Sequence, residues 1–230
     1  PGDRRGEFLE PVREAVTGRL RSGWADRGGA IVARRRLVKD IRANLLLGWL
    51  AKNFPGMPIV LLMRHPCAVV SSRLALGWRD NLDETIAQGD LVEDHLLPVE
   101  GHIRAARDPF ERHLFLWCID NYVPLKQFRP GAIHLCFYED LVRNPEQELR
   151  RLFTFIGRGF DEAVLGKLGR PSPTSRRDER PSVDGWRGRV DGERLERSAE
   201  ILGLFGLDGI YGPETGPDPT GALALMGAGT

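Results

Sequence analysis

Apolar and polar positions divide this chain of 230 residues into short apolar runs and longer amphipathic segments. Ile59–Met63 is a short, continuous apolar run of the kind that forms strands buried on both faces of a parallel sheet, and Ile133–Phe137 is predicted as a second buried strand. A third strand is predicted over Ala30–Lys39, where apolar residues are mixed with arginines. Because strands and helical segments alternate with short connections, the pattern predicts an α/β fold with a mainly parallel sheet flanked by helices.

The helical segments have recognisable start and stop signals. Pro66 suits a first helical position, and Asp108 followed by a proline and Glu111 is a strong N-terminal cap signal. Gly157 suits the C-terminal position of another helix. The predicted helices are Phe8–Leu20, Arg42–Phe54, Pro66 to about Gly77, the long segment after Asp108, the segment from Asn144 to Gly157, and the segment from Asp191 to about Leu202; Asp80–Leu97 is predicted as a helix and a loop.

The length favours one domain, predicted over residues 1–210, with a flexible C-terminal tail over 211–230. The tail is rich in glycine and proline, which is typical of chain without a packed core. No internal repeats divide the chain further.

Composition excludes several classes of protein. The 33 basic and 32 acidic groups give a net charge of +1, so there is no global field for nucleic acid. No apolar run reaches the ~20 residues of a membrane span. The three cysteines, Cys67, Cys118 and Cys136, are scattered and show no metal-binding spacing, which indicates a reducing compartment and a cytoplasmic protein without a metal.

Arg64 is the first candidate for chemistry. It follows a buried strand and precedes a helix N-terminus, whose free N–H groups favour an anion. Ser72 lies two helical turns after His65 and shares its face. An arginine fork, a hydroxyl and a helix start suit a phosphate. The alternative is an arginine paired with a surface carboxylate and serines that only pack.

Four stretches in the same order resemble sulfotransferases. RHPCAVVSS resembles their 3′-phosphate-binding segment, and YEDLVRNPEQELRRLFTFIG resembles the Tyr-Glu-Asp-Leu landmark with the helix after it. LVKDIRANLLLGWL resembles the strand and Lys-Asp-x-Arg turn of bacterial members. SVDGWRGRV resembles the Gly-x-Trp-Arg/Lys segment that covers the nucleotide.

The resemblance implies a P-loop-NTPase-like three-layer fold that binds 3′-phosphoadenosine 5′-phosphosulfate and transfers its sulfuryl group. Arg64 and Ser72 would then hold the 3′-phosphate, and Tyr138 would lie against the nucleotide. Further cofactor contacts would come from the basic loop and the tryptophan after it: Arg176, Arg177, Arg180 and Trp186. The alternatives are a core role for Tyr138, solvated arginines, and a packing role for Trp186.

Lys39 lies where family members place a lysine towards the phosphosulfate, and Asp40 is the first candidate for the base. Animal cytosolic members have a catalytic histidine two residues after that lysine, where this chain has Ile41. Asp40 could equally cap the next helix. The acceptor implied is a hydroxyl of a small molecule, glycan or lipid.

One element of the family pattern is not found. Members open with a strand and a loop like Pro-Arg/Lys-Ser-Gly-Thr, whose backbone holds the phosphosulfate. Arg21-Ser22-Gly23 follows a polar segment and is rejected as that loop, so the loop is expected upstream of Pro1. The absence keeps two alternatives open: a nucleotide-dependent kinase of the same broad fold, although no Gly-x-x-x-x-Gly-Lys-Ser/Thr occurs, and a non-catalytic nucleotide-binding or scaffold protein.

Overall fold

The structure is a computed structural model that describes residues 8–20, 36–168, 182–214 and 216–227. It divides into two compact units, Pro1–Met57 and Pro58–Thr230. The sequence predicted one domain over residues 1–210 instead. A physical reason for the division is that none of the described residues in the first unit is fully buried, so their side chains form no closed core.

The first unit contains helix α1 (Leu9–Thr17) and helix α2 (Leu47–Asn53), which continues from a 3₁₀ turn at Asn44–Leu46. The strand predicted to end near Lys39 is wrong for its described residues, 36–39, which have no strand structure. Leu37 is 91% exposed there.

The second unit is built on two parallel strands, β1 (Val60–Met63) and β2 (His134–Phe137), paired in the register Leu61↔Leu135 and Met63↔Phe137. The prediction of an α/β fold with a parallel sheet is therefore confirmed. The helices in chain order are α3 (Pro66–Ala75), α4 (Leu82–Ile86), α5 (Gly89–Leu91), α6 (Glu100–Ala105), α7 (Pro109–Gln127), α8 (Tyr138–Arg143), α9 (Pro145–Phe155), α10 (Gly192–Leu204) and α11 (Pro219–Leu225).

The two strands differ in how they are covered. All four residues of β2 are buried, whereas β1 alternates between exposed and buried positions. Leu61 and Met63 face the core, but Val60 is 39% and Leu62 55% exposed. The prediction that β1 is buried on both faces is therefore wrong, because no described element covers the second face.

The core lies between the sheet and the long helix α7, which packs against α3, α4, α10 and α11. Asp108 caps α7 as predicted, since its carboxylate accepts hydrogen bonds from the Phe110 and Glu111 amides. Asp191 caps α10 in the same way through the Arg194 amide. No helix among the described residues is long and apolar enough to span a membrane.

The C-terminal segment predicted to be flexible is instead packed over much of its length. Tyr211 and Ala222 are completely buried, and α11 contacts α7. Asp218 caps α11 through the Thr220 amide. Ala222 and Met226 are buried although glycines and prolines surround them, which explains why composition was misleading here.

Candidate anion site at the strand ends

Arg64 stands between the last residue of β1 and the start of α3. Its backbone carbonyl accepts a hydrogen bond of 3.1 Å from the indole N–H of Trp117, on α7. Trp117 is 3% exposed, so this contact anchors the strand end to the core. The junction is thereby fixed relative to α7.

The Arg64 side chain is partly buried and lies over the ring of Tyr138, with 4.3 Å between its Cζ atom and the ring centroid. Tyr138 directly follows β2, so the parallel pairing of the strands brings these two residues together. Arg64 Nε is buried and has no hydrogen-bond partner within the described residues. A buried charged donor without a partner is costly, so this atom fits an anionic ligand.

Glu139, the residue after Tyr138, is completely buried beside this junction. Its Oε1 atom accepts a hydrogen bond of 2.8 Å from the His65 backbone amide, and its Oε2 atom accepts one of 3.0 Å from the Tyr211 hydroxyl. Burial raises the pKa of the Glu139 carboxyl, while these two donors and the nearby Arg64 charge oppose that rise. Both carboxylate oxygens are therefore occupied by neutral donors.

His65 is 1% exposed and serves as the N-cap of α3. Its Nδ1 atom accepts from the Cys67 amide at 3.2 Å, which leaves the proton on Nε2, where it is donated to the Gly212 carbonyl at 3.1 Å. Burial lowers the pKa of His65 from 6.5 to about 4, so the ring is neutral at pH 7. His65 therefore supports the site without adding charge to it.

Trp186 stacks on the His65 ring at a centroid distance of 4.2 Å and is only 4% exposed. Its Nε1 atom is buried without a partner in the part of the chain that the structure describes. Arg187 lies over the Trp186 ring and donates a 2.7 Å hydrogen bond to the Pro213 carbonyl. The geometry agrees with a packing role for Trp186 and still leaves one indole donor for a ligand.

Of the other predicted site residues, Ser72 is half-buried in the second turn of α3. Lys39 and Asp40 belong to the first unit and are exposed, and Asp40 Oδ1 accepts a 2.7 Å hydrogen bond from the Arg42 amide, as expected of a turn residue. Arg176, Arg177, Arg180 and the rejected loop Arg21–Gly23 lie outside the described residues. Within the described ranges, no cluster of three or more His, Cys, Asp or Glu could hold a metal ion.

An open groove among the described residues lies away from the carboxyl ends of the strands. This groove, of about 970 Å³, runs along α9 at the start of β2 and contains none of the predicted site residues. Ligands of parallel sheets bind at the carboxyl ends of the strands, which is where Arg64 and Tyr138 lie. The strand ends are therefore the better candidate. The groove is lined by His134, Asn144, Pro145, Glu146, Gln147, Arg150, Arg151, Thr154 and Phe155.

Sequence reasoning missed Glu139 and Tyr211. Glu139 could have been suspected, because a carboxylate directly after a buried strand has no simple role as a surface residue. Tyr211 gave no such signal, since it is 72 residues away from Glu139 along the chain and lies in a segment predicted to be flexible.

Three comparisons with known proteins each find a sulfotransferase. The sequence model of the sulfotransferase family matches residues 24–162. Human carbohydrate sulfotransferase 5 is 27% identical over 211 residues, covering 82% of this chain and 50% of that protein. A solved sulfotransferase domain from the curacin biosynthetic pathway superimposes with a TM-score of 0.42 and 21% identity, covering 60% of this chain and 44% of that one.

Because the family match covers more than half of the chain, the protein belongs to the sulfotransferase family. The predicted resemblance and the P-loop-like α/β fold class are thereby confirmed. The chain spans about half the length of the human relative it matches.

Proposed function

We propose that this chain binds 3′-phosphoadenosine 5′-phosphosulfate and transfers its sulfuryl group to a hydroxyl. The observation that carries the proposal is the buried Arg64 Nε atom, which has no hydrogen-bond partner among the described residues and lies directly before a helix N-terminus. An arginine in this position can form charge-assisted hydrogen bonds to a phosphate. Family membership supplies the class of phosphate, the 3′-phosphate of the sulfuryl donor.

In this proposal Arg64 and Ser72 hold the 3′-phosphate, and the Tyr138 ring orients the guanidinium from one side. The Trp186 indole N–H, which has no partner among the described residues, is proposed as a further donor. Arg176, Arg177 and Arg180 stay predicted contacts that rest on the resemblance alone. When bound, the donor supplies an activated sulfuryl group, whose transfer is assisted by positive charge and exclusion of water.

The acceptor is proposed to be a hydroxyl of a small molecule, glycan or lipid. The name of the human relative, a carbohydrate sulfotransferase, favours a glycan among these. Cys67, Cys118 and Cys136 are free and buried, which is compatible with the predicted cytoplasmic location.

Arg64→Ala tests the binding site. Each charged hydrogen bond contributes about 1.5–3 kcal/mol, so we expect the variant to bind adenosine 3′,5′-bisphosphate at least about tenfold more weakly. The affinity of the variant for adenosine 5′-monophosphate, which lacks the 3′-phosphate, should fall much less. Calorimetry on the full chain measures both, with exposed Arg79→Ala as the matched control. Equal affinities of wild type and Arg64→Ala, or tighter binding of ATP than of the bisphosphate by wild type, would contradict the proposal.

Asp40→Asn tests the proposed base, whose assignment with Lys39 rests on the resemblance. If Asp40 accepts the acceptor proton, turnover should fall about 100-fold or more while bisphosphate affinity stays nearly unchanged. The asparagine keeps an oxygen for the Arg42 amide, so the local turn is preserved. Turnover equal to wild type would assign Asp40 to the turn alone, and no turnover by wild type would favour a non-catalytic nucleotide-binding protein.

A further inference from the structure

A buried carboxylate lies next to the arginine that must bind the anion. Glu139 directly follows Tyr138, whose ring contacts the Arg64 guanidinium, and its Oε1 atom binds the amide of the residue after Arg64. The Arg64 charge acts on the Glu139 carboxyl, and a carboxylate near a guanidinium can turn to pair with it. Such a pair would neutralise Arg64 and compete with any phosphate for the same N–H groups.

The described residues contain no Arg64–Glu139 ion pair, and two hydrogen bonds fix the orientation of the Glu139 carboxylate. The His65 amide donates to Oε1 at 2.8 Å, and the Tyr211 hydroxyl donates to Oε2 at 3.0 Å, so the carboxylate is held in an orientation in which it does not pair with Arg64. Tyr211 is itself completely buried, and its ring packs against His65, Trp117 and Phe137 in edge-on contacts. Its hydroxyl therefore has a fixed position. Arg64 Nε has no hydrogen-bond partner in the part of the chain that the structure describes.

We propose that Tyr211 is a positioning residue of the anion site: by holding the second oxygen of Glu139, its hydroxyl keeps that carboxylate from pairing with Arg64. The C-terminal segment thus keeps the guanidinium available to an incoming phosphate. This inference rests on the proposed function in naming the 3′-phosphate as the anion that benefits.

The proposal makes an unusual prediction about two substitutions combined. Tyr211→Phe frees Glu139 Oε2, which then pairs with Arg64, so binding of adenosine 3′,5′-bisphosphate should weaken about tenfold, while adenosine 5′-monophosphate changes little. Adding Glu139→Gln removes the competing charge but keeps an oxygen for the His65 amide, so the double variant should recover most of the affinity. If Tyr211→Phe weakened bisphosphate binding only by damaging the fold, adding Glu139→Gln would leave the binding equally weak or weaken it further.

Calorimetry with both nucleotides on the full chain measures these affinities for wild type, Tyr211→Phe, Glu139→Gln and the double variant. Tyr122→Phe is the matched control, because Tyr122 is also a core-facing tyrosine with an edge-on ring contact, at Phe205. Bisphosphate binding by Tyr211→Phe at wild-type strength, or a double variant as weak as Tyr211→Phe, would overturn the inference.

A second measurement needs no nucleotide and separates this inference from the proposed function. The ¹⁵N–¹H resonance of Arg64 Nε, identified by its absence in Arg64→Lys, should shift in Tyr211→Phe as the ion pair forms and return in the double variant. An unchanged resonance in Tyr211→Phe overturns the inference even if wild type binds the bisphosphate. If wild type binds no bisphosphate but the resonance shifts as expected, the proposed function fails and the positioning role of Tyr211 stands.

Discussion

At the scale of single residues, His65 shows how a polar side chain can serve a charged site by staying neutral. Its two ring nitrogens are committed to the Cys67 amide and the Gly212 carbonyl, an arrangement that only the neutral ring allows. A protonated His65 would lose the acceptor for the Cys67 amide and place a buried charge against Arg64.

Because these two hydrogen bonds require a neutral His65 ring, we predict that the folded chain loses stability in mild acid. The pKa of His65 is lowered from 6.5 to about 4 in the folded chain, so between those values the unfolded state binds a proton that the folded state does not. Stability is therefore full above pH 6.5 and falls as the pH drops towards 4, by roughly 3 kcal/mol from this residue.

Urea unfolding at pH 7 and pH 5 measures the effect, comparing wild type with His65→Gln. The variant should start from a lower stability but lose less of it between the two pH values. Exposed His102→Gln is the control and should keep the wild-type loss. A pH dependence in His65→Gln identical to that of wild type would show that His65 does not carry the proton.

How much of the site was predictable also depends on single residues. Arg64 could be found from sequence because its position, between an apolar run and a proline, is a local signal. Glu139 and Tyr211 could not be paired in advance, because their contact joins residues 72 positions apart and depends on the fold itself. The sequence shows that a residue is charged, but it does not show which distant residue forms a hydrogen bond with it.

At the scale of elements, local chemistry again separates what sequence predicts from what it misses. The caps at Asp108 and Asp191 were predicted because a cap and the amides it binds lie within three residues of each other. The exposed face of β1 was not, since burial of a strand depends on neighbours from distant parts of the chain.

The ion pairs between α7 and the α4 region are an example of contacts between neighbours that are distant along the chain. Arg112, on α7, contacts both Asp80, just before α4, and Asp83 within α4, at 2.6 and 2.9 Å. The Arg112 guanidinium keeps the pKa of the Asp80 carboxyl below its usual range. These ion pairs hold the start of the region Asp80–Leu97, predicted as a helix and a loop, against α7, the longest helix of the described chain.

At the scale of the whole molecule, the C-terminal segment is part of the core of its unit. Tyr211 reaches Glu139 at the strand ends, and α11 packs against α7. A Cβ atom at residue 221 would overlap the backbone carbonyl of Gly209, so this close approach requires a residue without a side chain at position 221. Gly221, which belongs to the segment predicted to be flexible, is thus a site of close packing.

Gly221→Ala tests whether this packing stabilises the molecule. A Cβ atom at residue 221 would overlap the backbone carbonyl of Gly209, which cannot move aside as a flexible side chain could. We expect a loss of about 1–3 kcal/mol in the free energy of unfolding, as for other overpacked sites. Gly101→Ala, also within a helix but with open space around the new Cβ, should be neutral or stabilising by up to about 1 kcal/mol. Urea unfolding of both variants gives the comparison. Equal stability of the two would mean that α11 does not pack on the core in solution, and the support that Tyr211 gives to the anion site would then lose its anchor.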